Sequence, residues 1–248
     1  MKAKLRFSFL NALTSVTATS EDSGYPASNL LTPRAPFIPW KSTSTATQTL
    51  SLTMSEASDL ILLVRANFTE ATIGGVEVDL SRNFVNWRYQ LVHLLSSGVT
   101  TLSVVIPTQA TTDGASYFSL GGIWAGPQVL PPLDFRFDVS PETLVGEITV
   151  KPDHGGWAEV MRLGEPRASF AVTRVATKLR RLSPGRGDSL QSWSEIDRQC
   201  WEAEVFAMAF NAGDDSAAYV CRRIGAIDWN RNRLNIAEGA LKLEEVIQ

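Results

Sequence analysis

The chain has 248 residues, of which 44% are hydrophobic and 20% charged, a balance that excludes wholesale disorder. Its 23 Lys+Arg against 26 Asp+Glu give a net charge of −3, which argues against a protein that coats nucleic acid, since that needs a concentrated basic surface. Two cysteines, Cys200 and Cys221, cannot form a disulfide scaffold or a four-thiolate zinc site, and reduced buried thiols are expected.

The N-terminus imitates a signal peptide, with Lys2, Lys4 and Arg6 ahead of Phe7, Phe9 and Leu10. Ser8, Asn11 and Thr14 interrupt its apolar stretch, and the alternation of Leu5, Phe7 and Phe9 with Arg6 and Ser8 reads instead as a first strand. Leu50–Met54 alternates apolar and polar residues, as a half-buried strand does, whereas Leu60–Val64 is continuous, as a strand buried on both faces would be. That run is also the longest dense apolar one, far short of the ~20 residues of a membrane-spanning helix, so no span is expected. Gly74-Gly75 inside Ala71–Leu80 predicts a hairpin or bulge. Leu102–Ile106 is a further buried strand ended by Pro107, Thr108–Gly114 a polar loop, and Tyr117–Trp124 a strand interrupted by Gly121-Gly122.

Gly126-Pro127 and Pro131-Pro132 cannot continue a sheet ladder, because proline lacks the N–H donor, and a domain boundary is placed there. Beyond it, Leu133–Val139, Glu147–Val150 and Ala168–Leu182 read as strands and Ser183–Ser189 as a loop. Trp193, Ile196, Cys200 and Ala203 recur at helical spacing, predicting a helix over 191–209 stopped by Asn211-Ala212-Gly213. Ala217–Arg222, Ala226–Trp229, Leu234–Ile236 and Ala240–Val246 return to strands. The fold class is therefore mainly β: a β-sandwich jelly roll over 1–126, then a smaller α+β domain over 127–248 with one helix on antiparallel strands.

No nucleophile elbow, phosphate loop or dinucleotide motif is present, and Gly155-Gly156 reads as a turn. Asp153-His154 would have to meet in a turn to act as acid and base, and His93, within Leu91–Leu95, reads as a hydrogen-bonded core or strand-face residue. Glu202 with Glu204, or Asp214 with Asp215, are read as a solvated helix face and an acidic turn rather than the paired carboxylates of a glycosidase. No catalytic, cofactor-binding or metal-ligating residue is assigned. Asn67-Phe68-Thr69 matches a glycosylation sequon and Arg186-Gly187-Asp188 an adhesion tripeptide; the first is read as chance and the second as a tight turn. The chain has 7 tryptophans, and Trp40 and Trp124, which fall in or beside predicted strands, read as core residues, although exposed aromatics on a sandwich can stack on sugars.

The segment Tyr25-Pro26-Ala27-Ser28-Asn29-Leu30-Leu31, followed by Trp40-Lys41-Ser42, resembles the opening of a discoidin-type, galactose-binding-like jelly roll over roughly residues 1–126. That resemblance implies ligand loops at one end of the sandwich, among Ser20–Pro26, Thr32–Pro39 and Thr108–Gly114, with Arg34 and Trp40 as candidates for a cell-surface glycan. The family's usual acidic residues are absent at Gln48-Thr49-Leu50-Ser51-Leu52 and at Thr32, which argues against a calcium-bound loop. With the α+β domain after it, and with Tyr219-Val220-Cys221, Ile224-Gly225 and Leu241–Val246 near the end, the chain also resembles tail-tip proteins of long-tailed bacteriophages. This implies a non-enzymatic structural component of a tail tip or baseplate, made in the bacterial cytoplasm and carried in the virion. Its expected partners are tail-tube, hub and fibre proteins, in a symmetric homo-oligomer. Phe206, Met208 and Phe210, more apolar surface than one helix can cover, are the residues that motivate the oligomer.

Overall fold

A computed structural model describes residues 6–31, 38–81, 84–85, 88–130, 142–150, 159–176, 193–210, 217–223, 230–233 and 236–245. The first half contains β1 (Arg6–Ser8), β2 (Leu13–Ala18), a 3-10 turn (Ala27–Leu31), β3 (Trp40–Lys41), β4 (Gln48–Ala66), β5 (Glu70–Ile73), β6 (Val76–Asp79), β7 (Phe84–Val85), β8 (Arg88–Ile106), β9 (Ser119–Leu120) and β10 (Gly122–Gly126). The expected strands Leu50–Met54 and Leu60–Val64 are two halves of the single 19-residue β4, paired along its length with β8. The ladder shifts register at Thr53/Ser58 and Ser58/Leu60. There the ribbon turns a corner, because Asn67–Thr69 alone carry the chain from β4 to β5, yet Thr72 of β5 pairs with Val105 at the far end of β8. The folded ribbon faces itself across one core: Leu50, Leu52 and Met54 from one half, Ile61, Leu63 and Ala66 from the other. β2, β5 and β6 extend one half and β10 the other, giving an antiparallel sandwich. The Gly74-Gly75 expectation resolves as a hairpin: Ile73 pairs with Val76, and both glycines take left-handed backbone (φ 58 and 86), which a two-residue turn between twisted strands requires.

The second sheet holds β11 (Glu142–Val150), β12 (Glu159–Ala176), β13 (Phe206–Phe210), β14 (Ala217–Arg223), β15 (Asn230–Arg233) and β16 (Ile236–Glu245), with helix α1 (Trp193–Glu202). Its order is β1-β13-β14-β16-β12-β11, with β15 on β16, and all pairs are antiparallel. The chain is thus mainly β, a sandwich plus a smaller α+β unit. The helix is shorter than its periodicity predicts, for Phe206–Phe210 is a strand. Ile196 and Cys200 bury the inner face of α1, but Phe206, Ala207, Met208 and Ala209 alternate large and small and are all buried, as only a strand covered on both faces allows. Leu133–Val139, Ser183–Ser189, Asn211–Gly213 and Ala226–Trp229 lie outside the described residues.

Two features weld sandwich and second sheet together. Leu60, Leu62 and Val64 of β4 point away from the sandwich core and pack, with Val92 and Trp124, on Ala207, Ala209 and Val220. This is the reason Leu60–Val64 reads as continuous apolar sequence. Each such fully buried aliphatic contributes about 1.5–3 kcal/mol relative to exposure. The second feature is β1, which precedes the sandwich in sequence yet pairs with β13 (Phe7↔Met208). Phe7 also exchanges backbone bonds with Val129, at 2.9 and 2.7 Å. The stretch after Gly126 is therefore tied down as far as Val129. Gln128 donates its backbone and side-chain N–H groups to the two Asp59 oxygens, each at 2.7 Å, and accepts from Arg6. Burial lowers the Arg6 pKa, while the Asp59 carboxylate opposes that shift. Phe206 meets the rings of Phe7 and Phe9 at 6.1 and 5.3 Å. Phe206 and Met208, fully buried, are thus covered within the chain rather than by a neighbouring subunit.

Candidate functional site

The loop end of the sandwich is assembled around the short pair β3–β9, where Trp40 faces Leu120 and Lys41 faces Ser119. Trp40 is fully buried, and its indole N–H donates to the Ser20 carbonyl at 3.2 Å. The 3-10 turn buries Ala27 and Leu30, and the Glu21 carboxylate accepts the Ala27 N–H at 2.8 Å. Asn29 donates to the Pro39 carbonyl at 3.3 Å. The Tyr-Pro-Ala-Ser-Asn-Leu-Leu element and Trp40 therefore form a structural corner, and Trp40 has no free face for a sugar. Arg34 lies outside the described residues.

That corner positions three other side chains. Asp22 donates its backbone N–H to the Lys41 carbonyl at 2.8 Å, and Lys41 donates back to the Tyr25 carbonyl at 3.1 Å. Ser42 and Phe118 are cross-linked by Ser42 N–H to Phe118 carbonyl (2.9 Å) and Phe118 N–H to Ser42 Oγ (2.8 Å). As a result the Lys41 ammonium sits 3.7 Å from the Tyr25 ring centre and 4.9 Å from that of Tyr117, both rings half-buried.

Tyr117 is held by Asn67, a fully buried side chain. Its amide donates to Asp113 Oδ1 and to the Tyr117 carbonyl, both at 3.1 Å, and accepts the Ser119 N–H at 2.7 Å. Its carbonyl accepts the Thr112 N–H at 2.8 Å. The sequon at Asn67 is thus consumed by the fold; its amide nitrogen is closed to a glycosyl transferase in the folded chain.

On the other flank of the Pro107–Phe118 loop lies a groove of about 570 Å³ lined by Thr69, Glu70, Thr72, Glu77, Asp79 and Ser81. Gln109 ties the loop to it, accepting the Thr69 N–H at 2.9 Å and donating to the Glu70 carbonyl at 2.7 Å. The groove offers hydroxyls and carboxylates but no aromatic face, so on this loop end the rings that could stack are those of Tyr25 and Tyr117.

The remaining candidates disperse. His93 is half-buried on β8 opposite Ile61, and His154, Gly155-Gly156, the tripeptide at 186–188, Asp214 and Asp215 lie outside the described residues. Glu202 is ion-paired with Arg198 one turn back, and Glu204 is exposed. Cys200 and Cys221 are both buried. Among the described residues no group of three or more His, Cys, Asp or Glu side chains lies together as a metal cage would. Trp124 is buried at the weld, its indole N–H on Ser8 Oγ at 3.1 Å. Sequence reading bracketed the site by its loops but missed Tyr25, Lys41 and Tyr117 as a set. The signal in the sequence was that Tyr25 and Lys41 both lie within the quoted motif.

The sequence matches no family model and no curated protein. Solved structures resemble parts of it. A carbohydrate-binding module, CpGH89CBM32-4, produced by Clostridium perfringens, is 12% identical, covering 45% of this chain and 93% of its own, with a TM-score of 0.36. A chain in the structure of reduced XRCC1 bound to the DNA pol beta catalytic domain is 16% identical, covering 50% and 98%, at 0.35. A mutant of the lectin binding domain of Lectinolysin, complexed with Lewis b, is 11% identical, covering 46% and 91%, at 0.33. Each likeness spans half of this chain or less and carries no statement about what this chain binds.

Proposed function

We propose that this chain is a non-catalytic glycan-binding protein whose sandwich holds a sugar at Tyr25, Lys41 and Tyr117. The observation that supports this is the cation set between two half-buried tyrosine rings at a loop end braced by a buried corner. A sugar ring presents an apolar face that an aromatic ring covers, and hydroxyls that nearby donors and acceptors orient; rigid aromatics give contact area at low entropic cost. A glycan array probed with the full chain tests it. Tyr25→Ala and Tyr117→Ala should each weaken binding about tenfold, the scale of an interface anchor, with the melting temperature little changed. An array silent at micromolar chain, or binding indifferent to both changes, defeats the reading.

A second reading, a structural component of a bacteriophage tail tip, is favoured by the weld. An accessory module on a flexible linker reorients freely, whereas a sandwich sharing an apolar interface and a strand with its neighbour passes on a fixed orientation, as an assembly subunit must. Electron microscopy of virions carrying the chain tests this. Copies closed around the tail axis, in contact with tube, hub or fibre proteins, are expected. Isolated copies burying under ~800 Å² against neighbours would count against it.

A further inference from the structure

The Lys41 ammonium is held but not spent. Among the described residues it faces the two rings and makes no hydrogen bond and no ion pair. An ammonium has three N–H donors, and a ring face engages it electrostatically without supplying a lone-pair acceptor. The phenol hydroxyls of Tyr25 and Tyr117 likewise have no partner among the described residues. Three acidic groups of the surrounding loops accept hydrogen bonds from other residues. Glu21 accepts from Ala27 N–H, Asp22 from Gly24 N–H, and Asp113 from Asn67 and from Ala115 N–H. None of the three is paired with Lys41.

We infer that the ligand at this site is an anionic sugar, whose acidic oxygens take the free Lys41 N–H donors while its ring lies against the tyrosines. This rests on the glycan-binding reading and names its substrate class. A neutral sugar would leave the cation without a charge partner, whereas a sugar carboxylate or sulfate ester forms a charge-assisted bond, stronger than a neutral one. The rings fix the ammonium in place, so little side-chain entropy is lost on binding. The chain's net charge of −3 gives no general attraction for anions, so the selection is local to Lys41.

The test uses the full chain and four glycan sets: a uronic-acid or sialic-acid oligosaccharide, the same oligosaccharide with its carboxyl groups reduced to alcohols, a sulfated neutral oligosaccharide, and the unsulfated parent. Binding is measured by calorimetry at low and high salt. Acidic forms should bind at least about tenfold more tightly than their neutral counterparts, and salt should narrow the gap. The carboxylate and sulfate arms identify the source of the anion. Lys41→Met, which keeps an unbranched apolar stem, should abolish the preference; Lys41→Arg should retain it. Should Lys41→Met not fold, carboxyl reduction against the wild-type chain still decides. Equal binding of acidic and neutral forms overturns the inference and leaves the glycan reading intact. Failure of every glycan to bind overturns both.

Discussion

Replacing Trp40 with alanine should unfold the loop end of the sandwich rather than merely remove a ligand contact. The side chain is fully buried in the same core cluster as Leu30, Phe118 and Leu120, and its N–H is committed to the Ser20 carbonyl. Large-to-small changes of buried aromatics cost about 3–5 kcal/mol. At roughly 2–4 °C per kcal/mol for a chain of this size, the melting temperature should fall by about 6–20 °C. Because Ser20 opens the loop that carries Tyr25, glycan binding should fall with stability. Trp40→Phe, which keeps most of the volume and loses the hydrogen bond, should cost about 1–2 kcal/mol. Thermal and urea melts followed by circular dichroism read both. A Trp40→Ala chain that melts like wild type and loses binding alone would put the indole back among the ligand contacts, where its motif had suggested it.

Gly126→Val should be at least as damaging, by a different route. Gly126 pairs with Leu60 at the end of β10, where the chain leaving β1 crosses over it. A side chain there would run into the Leu10 carbonyl oxygen and the Ser8 hydroxyl. Ser8→Gly would not rescue it, since the Leu10 oxygen belongs to the backbone. Relief requires β1 to move, and β1 is paired with β13, with the Phe7 ring against Phe206. Overpacking typically costs about 1–3 kcal/mol, and displacement of a strand adds to that, so a loss of about 3 kcal/mol or more is expected. Amide exchange localises the damage: Phe7 and Val129, which protect one another at 2.9 and 2.7 Å, should lose protection before the core of β4 does. A variant within about 1 kcal/mol of wild type, with both amides still protected, would falsify this account of how β1 is seated.

The glycan and assembly readings draw on different parts of the molecule, so these two changes separate them. Trp40→Ala strikes the sugar site through its scaffold, and Gly126→Val strikes the weld while leaving Tyr25, Lys41 and Tyr117 on their own braces.

By itself the sequence determined the local states of the chain, because local states depend on side chains near one another. Alternation in Leu50–Met54 marked a half-buried strand, the unbroken run Leu60–Val64 one with both faces covered, and Gly74-Gly75 a hairpin or bulge, which the structure resolves as a hairpin closed by left-handed glycines. The Tyr-Pro-Ala-Ser-Asn-Leu-Leu stretch carried the resemblance to a jelly-roll opening, and its buried 3-10 corner emerged only in the fold. Only the tertiary structure decided which surfaces meet. Nothing within Arg6–Ser8 says that its partner is Phe206–Phe210, because cross-strand hydrogen bonds join backbones, which carry no sequence code. The helical spacing that runs on past Glu202 was overridden for the same reason: burial on both faces favours a strand at Phe206–Phe210, with Ala207 and Ala209 packed on β4 and Phe206 against the rings of Phe7 and Phe9. The site itself is a product of pairing. Lys41 comes between Tyr25 and Tyr117 only because β3 lies beside β9 and Asn67 anchors the loop ahead of Tyr117, contacts that close between residues far apart along the chain.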